Sequence, residues 1–493
     1  MEFIYELPGN KTGFEKPAVP GTIIISHFFL ADLFTFIIEK ITMMKRSFLV
    51  YFILSLCISS QAQKKSKVGV QAIEPSLKIT KGLSDSALLD LVQKQTFRYF
   101  WDFAHPVSGM ARERSNIINY GHETVTTGGT GFGIMGVITA AERKWIDRDT
   151  AARFMRKMVN FLLKADAYHG AFPHWLDGAT GKTIPFSRKD DGGDLVETSY
   201  LFQGLLCARQ YFNSDDPVEK EFRQKLSWLW PDIEWNWYTQ GGQEVLYWHW
   251  SPNNGWAMNF PVRGFNECII MYILAASSPN EKFKVPAAIY HRGWAQSSFF
   301  KNGKEFYGYK LPLGFDYGGP LFFSQYSFLG LDPRGLKDEY ADYWEQNKNH
   351  TLINHAYCLD NPKKFKGYGE NCWGLTASDT YDGYNAFSPT NDNGTITPTA
   401  ALSAFPYTPE FSMKALRHFY EDLGDKIWSE YGFTDAFNET QNWYAKSHLA
   451  IDQGPIIAMI ENYRSGLLWK LFMSCPEIQQ GLKKLDFESP WLK

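Results

Sequence analysis

Residues 194–212 read DLVETSYLFQGLLCARQYF. Apolar side chains at 195, 196, 201, 202, 205, 206 and 212 recur at helical spacing behind an acid suited to a helix start. Just upstream, residues 188–193 read RKDDGG, so Asp190, Asp191, Asp194 and Glu197 fall within eight positions. Asp194 and Glu197, three apart, would share one helix face. The same alternation recurs along the chain: a helical segment, then a long loop rich in Gly, Trp, Tyr and Asn. Periodicity predicts helices over 84–103, 132–145, 148–167, 194–212, 218–229, 264–276, 287–299, 336–359, 399–405, 409–423 and 453–474. Only 303–315 reads as a β-hairpin.

Roughly a dozen helices without strand alternation exclude a doubly wound sheet or a TIM barrel. A helical-hairpin solenoid needs a repeat period, and none is found. The expected fold is therefore all-α, an (α/α)6 toroid with long aromatic loops at one end.

The chain has 493 residues, 16% of them aromatic, including 17 Trp, 26 Tyr and 38 Phe. A net charge of -3 without a basic stripe excludes a nucleic-acid partner. The six cysteines show no CxxC and no zinc spacing, so they read as small core residues with at most one incidental pair. No cofactor and no metal are expected.

Met43-Met44-Lys45-Arg46, the apolar run 47–59 and Ser60-Gln61-Ala62 follow the order of a secretory signal peptide. Translation starting at Met43 or Met44 would make residues 1–42 an upstream artefact. Their apolar run, 22–38, is interrupted by His27 and Asp32 and makes a poor membrane span. Leu56 before Cys57 is too large for a lipobox. The expected product is periplasmic or secreted, has no span in the mature chain and is a monomer. The organisation is then a signal peptide at 43–62, a flexible leader at 63–83, a catalytic domain at 84–476 and a C-terminal tail at 477–493.

Several motifs carry competing readings. Asp190-Asp191-Gly192-Gly193-Asp194 matches the DDxxD of isoprenoid synthases, but two glycines break the helix that a magnesium–diphosphate site requires. A calcium or structural-turn role fits better, and a sugar-cleft role better still. Gly131 to Gly136 matches GxGxxG without a surrounding βαβ unit, so its glycines read as a loop entering a closely packed helix. Asn391-Asp392-Asn393-Gly394 lacks the distal glutamate of a calcium loop and reads as a turn. Trp235, Trp237, Trp248, Trp250 and Trp256 crowd one loop region. A tryptophan is more often core than platform, yet with so many among Asn and Gly at least one is expected to stack on a sugar ring. Arg263-Gly264-Phe265-Asn266-Glu267 places an acid in the first turn of an apolar helix, either as a helix-start acid or as a general acid raised by surrounding aromatics. Asp452, before a helix expected near Pro455, is either a cap or a carboxylate that polarises water.

Thr127 to Gly133, the Asp190 to Glu197 segment, Arg263 to Glu267 and Ile451 to Pro455 together resemble a bacterial glucoamylase-like family. It includes the β-1,2-glucan hydrolases of glycoside hydrolase family 144. The resemblance spans about residues 85–475. It implies an (α/α)6 toroid, secretion, and hydrolysis of a glucan with inversion. It also implies Glu267 as general acid and Asp452 as base, with Asp190, Asp194 and Glu197 lining the cleft. Arg263, Trp248, Trp250 and Trp256 complete the expected substrate-binding set. A glucosidase acting on another glucan linkage is an alternative within this reading, and two rivals lie outside it. A non-catalytic glycan-binding protein would show aromatics without converging acids. A polysaccharide lyase would pair a Tyr or His base with cations that neutralise a uronate.

Overall fold

The computed structural model describes residues 74–116 and 123–492. The expected upstream segment, signal peptide and first part of the leader lie outside the described residues. Described helices are α1 (Asp85–Trp101), α2 (Thr127–Glu142), α3 (Arg148–Leu162), α4 (Leu195–Tyr211), α5 (Pro217–Leu229), α6 (Ile269–Ser277), α7 (Tyr343–Asp360), α8 (Pro398–Leu402), α9 (Pro409–Arg417), α10 (Gly424–Ile427), α11 (Ala450–Ser465), α12 (Leu467–Met473) and α13 (Pro476–Lys484). Strands are short: β1 (Thr124–Thr126), β2 (Trp175–Asp177), β3 (Thr183–Ile184), β4 (Gly193–Asp194), β5 (His249–Trp250), β6 (Glu305–Phe306), β7 (Tyr309–Lys310), β8 (Ala377–Thr380) and β9 (Gly383–Ala386). The expected hairpin forms as β6–β7.

Composition sorts the helices into two layers. In α2, α6 and α8 nearly every residue is buried, and α4 is buried from Leu195 to Ala208. A helix that is covered on all sides belongs inside. In contrast, α3, α5, α9 and α13 bury a single stripe, such as Ala151, Ala152, Met155, Met158, Val159 and Leu162 on α3. Helix α2 packs between α4 and α11, α3 lies on α5, and α6 lies between α4 and α13. The result is an (α/α)6 toroid with a buried inner layer and an amphipathic outer one.

The departures from expectation have local causes. Helix α2 begins at Thr127, five residues before the predicted start, so the GxGxxG glycines are helical rather than in a loop. They are there for contact. A Cβ on Gly131 would lie 2.1 Å from the Tyr200 carbonyl oxygen, and one on Gly204 would lie 2.1 Å from that of Gly131. Backbone touches backbone where α2 crosses α4. Helix α6 starts late, at Ile269, because Gly264 takes φ +81. The segment predicted at 287–299 forms a π-helical turn, Ile289–Ala295. Helix α7 waits for Asp342, whose carboxylate accepts the Trp344 and Glu345 N–H groups. The long C-terminal helix splits at Gly466, φ +68, into α11 and α12.

Residues 477–492 of the expected C-terminal tail pack into the fold. They carry most of α13, and Ile478, Leu482, Leu485 and Phe487 are buried in the main core. Residues 74–83 of the expected flexible leader are tied down. The Trp428 indole donates to the Ser76 carbonyl at 2.8 Å, and the Thr80 N–H donates to the Tyr420 hydroxyl at 3.1 Å. Cys207, Cys268, Cys358, Cys372 and Cys475 are all free thiols. No described helix is long and apolar enough to cross a membrane.

Candidate active site

The N-terminus of α4 builds one wall. Asp194 is its N-cap: Oδ1 accepts the N–H groups of Val196 at 3.0 Å and Glu197 at 2.9 Å. Its other oxygen faces two imidazoles, His174 Nδ1 at 3.1 Å and His249 Nε2 at 3.7 Å. Strand β4 pairs with β5, which sets His249 opposite Asp194 and Trp250 opposite Gly193. His249 Nε2 also reaches Asp190 at 3.3 Å. Burial disfavours a charged imidazole, but Glu197, Asp194 and Asp190 outweigh it and hold His174 at about 9. Burial likewise opposes ionisation of Asp190, yet His249 and His174 bring its carboxyl below the usual value. This is a paired, charged assembly, although His249 Nδ1 is buried without a hydrogen-bond partner among the described residues. Asp191 points elsewhere, bonding Ser251 and Asn253, so this part of the DDxxD match serves a turn.

Glu197 stands in the first turn of α4, and its Oε2 accepts the Gly128 N–H at 2.7 Å. A Cβ on Gly128 would lie 2.5 Å from that oxygen, so a glycine there lets the carboxylate approach the start of α2. Burial pushes Glu197 up, His174 pulls it back and Asp194 adds repulsion, leaving it at about 7. Glu267 lies just before α6, outside its first turn, and no side chain caps that helix. Its carbonyl accepts from the Tyr200 hydroxyl at 3.4 Å and from Ser327 Oγ. Its carboxyl Oε2 is buried without a hydrogen-bond partner among the described residues. Burial, with the Glu197 charge added, lifts Glu267 to about 7.

The opposite wall is the start of α11. This helix begins at Ala450 and contains Pro455, so Asp452 belongs to its first turn and is not a cap; Leu449 holds the N-cap position. Asp452 Oδ1 accepts from the Tyr326 hydroxyl at 3.2 Å. Its Oδ2 and Asp435 Oδ1 are both buried without a donor, although the two carboxyls lie within hydrogen-bonding reach of each other. A single proton held between them can satisfy both oxygens. Asp435 Oδ2 accepts the Asp379 N–H at 2.7 Å. The Asp379 carboxylate takes Arg114 at 3.0 Å and Ser447 Oγ at 2.5 Å, and Arg114 also pairs with Glu113 at 2.7 Å. Burial, Asp452 and Asp379 raise Asp435 well above the carboxylate range. Burial also lifts Asp452 to about 7, against the hydrogen bonds from Asp435 and Tyr326. A cavity of about 280 Å³ lined by Arg114, Asp379, Tyr384 and Trp443 opens beside this wall.

Two tyrosines join the walls. Tyr326, on Asp452, packs edge-on to Tyr200 with ring centroids 5.9 Å apart, and Tyr200 reaches Glu267. Asp190, Asp194, Glu197, Glu267 and Asp452 thus belong to one connected cluster. The expected tryptophans divide. Trp235 is fully buried. Trp248 is half-buried, stacked on His249 at 5.6 Å and flanked by the exposed Phe260. Trp250 and Trp256 are half-buried beside Trp237, which is 39% exposed and stacks on His169. Arg263 is exposed and makes no ion pair among the described residues.

Sequence reading missed His174, His249, Asp435, Asp379, Arg114 and Tyr326. His249 lies inside Trp248-His249-Trp250, where the tryptophans are the stronger sequence signal. Asp435 and Asp379 stand alone among apolar or small residues, and no spacing rule joins them to Asp452.

A family model described as "Putative glucoamylase" matches residues 259–476. The endo-beta-1,2-glucanase from Chitinophaga pinensis, solved with sophorotriose and glucose, is 57% identical with a TM-score of 0.81, covering 83% of this chain and 100% of that one. The chain belongs to the glucoamylase-like family. Another member, the exo beta-1,2-glucooligosaccharide sophorohydrolase of Parabacteroides distasonis, is 46% identical over 425 residues, 82% of this chain. This glucoamylase-like chain spans 58% of the length of that relative. An endo-beta-1,2-glucanase from Talaromyces funiculosus, 10% identical with a TM-score of 0.61, covers 84% of this chain and 93% of its own and shares the fold.

Proposed function

We propose that the protein is an exported glycoside hydrolase that cleaves β-1,2-glucan or its oligosaccharides. The observation that carries this reading is the pair Glu267 and Asp452: buried carboxyls near neutrality, on opposite walls of one cluster. A carboxylic acid that is neutral near pH 7 can give its proton to a departing glycosidic oxygen. A second carboxylate can take a proton from the attacking water. In this assignment Glu267 is the donor and Asp452 the base, and the shared proton on Asp435 keeps Asp452 anionic without a second negative charge beside it. Asp190, Asp194 and Glu197, fixed by two histidines and a helix start, present acceptors to sugar hydroxyls. Trp248, Trp250 and Trp256 offer ring faces. The 46–57% identical β-1,2-glucan hydrolases support the linkage. A lyase is disfavoured because the cluster is acid-rich and would repel a uronate. Inversion follows the family resemblance. Export follows the signal-like run at 43–62, and the enzyme is read as a monomer.

The test is a panel of β-1,2-, β-1,3-, β-1,4- and α-1,4-glucans, with products resolved by chromatography and their anomeric form by NMR. Release of sophorose or short β-1,2 products in the α form, from β-1,2-glucan alone, is expected. Cleavage of another linkage in preference would overturn the substrate, and no cleavage of any glucan would restore the glycan-binding reading. Sophorose alone marks exo action, and a ladder marks endo action.

A further inference from the structure

Away from the acid cluster, Cys372, His418 and Glu439 arrive from three separate segments: the loop before β8, the residue after α9, and the turn after the short strand Phe437–Asn438. One ligand atom from each lies within 4.8 Å of the other two. Among the described residues, Cys372 Sγ, His418 Nε2 and the Glu439 carboxylate have no hydrogen-bond partner, whereas His418 Nδ1 has one. Cys372 is 3% exposed, and its Sγ donates to nothing. His418 is held by its other nitrogen, Nδ1, which faces Asp422 at 3.1 Å, so Nε2 is left to point away. Glu439 is held by shape. Gly367 has φ +90, and a Cβ there would lie 2.4 Å from Glu439 Oε1, so the carboxylate rests against bare backbone.

We propose that Cys372, His418 and Glu439 form a zinc site. A thiolate, an imidazole and a carboxylate are the three ligand types zinc prefers, and bonds of about 2.0–2.3 Å would place their donor atoms about 3.4–3.7 Å apart. Small side-chain rotations bring them there. Burial pushes the free Cys372 thiol well up. Binding therefore releases its proton: Zn²⁺ displaces H⁺ from sulfur, and the H⁺ leaves to solvent. With one thiolate and one carboxylate, the loaded site is neutral, which suits its half-buried position. Asp422 on His418 Nδ1 is the outer carboxylate that fixes the tautomer and ring of a ligating histidine. Water would take the fourth position. The ion would tie the loop ahead of β8, which carries Asp379, to the turn that follows Asp435. The role is a staple on the wall behind Asp452, with no part in bond cleavage.

The test uses the full chain, stripped with a chelator and dialysed against zinc, then assayed for metal by mass spectrometry and for affinity by calorimetry. One zinc per chain is expected, with micromolar or tighter affinity and a zinc-dependent rise in melting temperature. Cys372→Ser and His418→Gln should each abolish stoichiometric binding, and Asp422→Asn should weaken it about 10–100-fold. Cobalt substitution should give a thiolate charge-transfer band that is absent from Cys372→Ser. If Cys372→Ser fails to fold, His418→Gln carries the test, because that side chain is 25% exposed. The absence of bound zinc overturns the proposal. So does zinc that survives Cys372→Ser and His418→Gln but is lost in Asp190→Asn, since His174, Asp190 and Asp194 also bring ligand atoms within 4.8 Å of one another.

Discussion

Replacing Glu267 with glutamine separates a proton donor from a structural acid through two opposed effects. The change is nearly isosteric, and the carboxyl has an orphaned oxygen at one end, so little packing is lost. Activity on unactivated glucan should fall about 10²–10⁴-fold, the usual contribution of a general acid. Stability should move the other way. Glu267 rises from 4.5 to about 7, which corresponds to about 3 kcal/mol between its protonation states. A raised carboxyl favours the fold fully below its unfolded value, and that contribution is lost as pH climbs through the folded value. The wild type therefore weakens by up to about 3 kcal/mol between roughly pH 4.5 and 7 on account of this group, and glutamine does not. Urea unfolding at pH 4.5 and pH 8 measures the gap. Glu267→Gln should be near wild type at the lower pH and more stable at the higher. A pH-independent gap would show an ordinary surface-like carboxyl. Near wild-type turnover would show that the proton comes from elsewhere. In the wild type, turnover should fall above pH 7, with only about a tenth of the acid protonated one pH unit higher.

Four further outcomes are expected. Glu197→Gln removes a charge that raises Glu267, so the alkaline limb of the residual pH–rate profile should move to lower pH; an unmoved limb would sever the two groups electrostatically. Asp435→Asn keeps a neutral hydrogen-bond donor toward Asp452 and should retain most turnover, whereas Asp435→Ala should shift the acidic limb upward and lower kcat; equal losses in both would mean that Asp435 acts as an anion. Trp248→Ala should raise KM for β-1,2-glucan about tenfold at little cost in kcat if its ring carries about 1.4 kcal/mol of sugar stacking, and an unchanged KM would return it to a packing role. Gly131→Ala should cost about 1–3 kcal/mol or more in urea unfolding, because its methyl meets backbone rather than a movable side chain.

How much was legible depended on whether the signal was periodic. Helices α1, α4 and α5 were readable to within a residue or two, since their apolar spacing and capping residues coincide. Helix α2 was misplaced because glycines score against a helix when read singly, while the packing of Gly131 on Gly204 exists only once two helices meet. Pro455 misled in the same manner: it marks a helix start by rule but lies inside α11. The acids of Asp190 to Glu197 were visible because they crowd one stretch. The Asp379–Asp435–Asp452 set was not, because its members are brought together by three distant segments and each looks unremarkable alone. Glu267 and Asp452 were found by pattern, and a raised Glu267 was expected from its aromatic neighbours, but the raised state of Asp452 was not. An acid near neutrality is a property of burial, which one sequence does not display.

The double duty of Asp194 limits how this protein can change. One oxygen caps α4, and the other orients His174 and His249. Any substitution there perturbs a buried inner-layer helix and the His174–His249 imidazole pair in the same stroke. Variation would therefore be better tolerated in the exposed rim of Trp237 and Phe260, which cap no helix. Relatives that differ in exo or endo habit should diverge at that rim while keeping Asp194, so drift in specificity is channelled outward from a floor that cannot be edited in pieces.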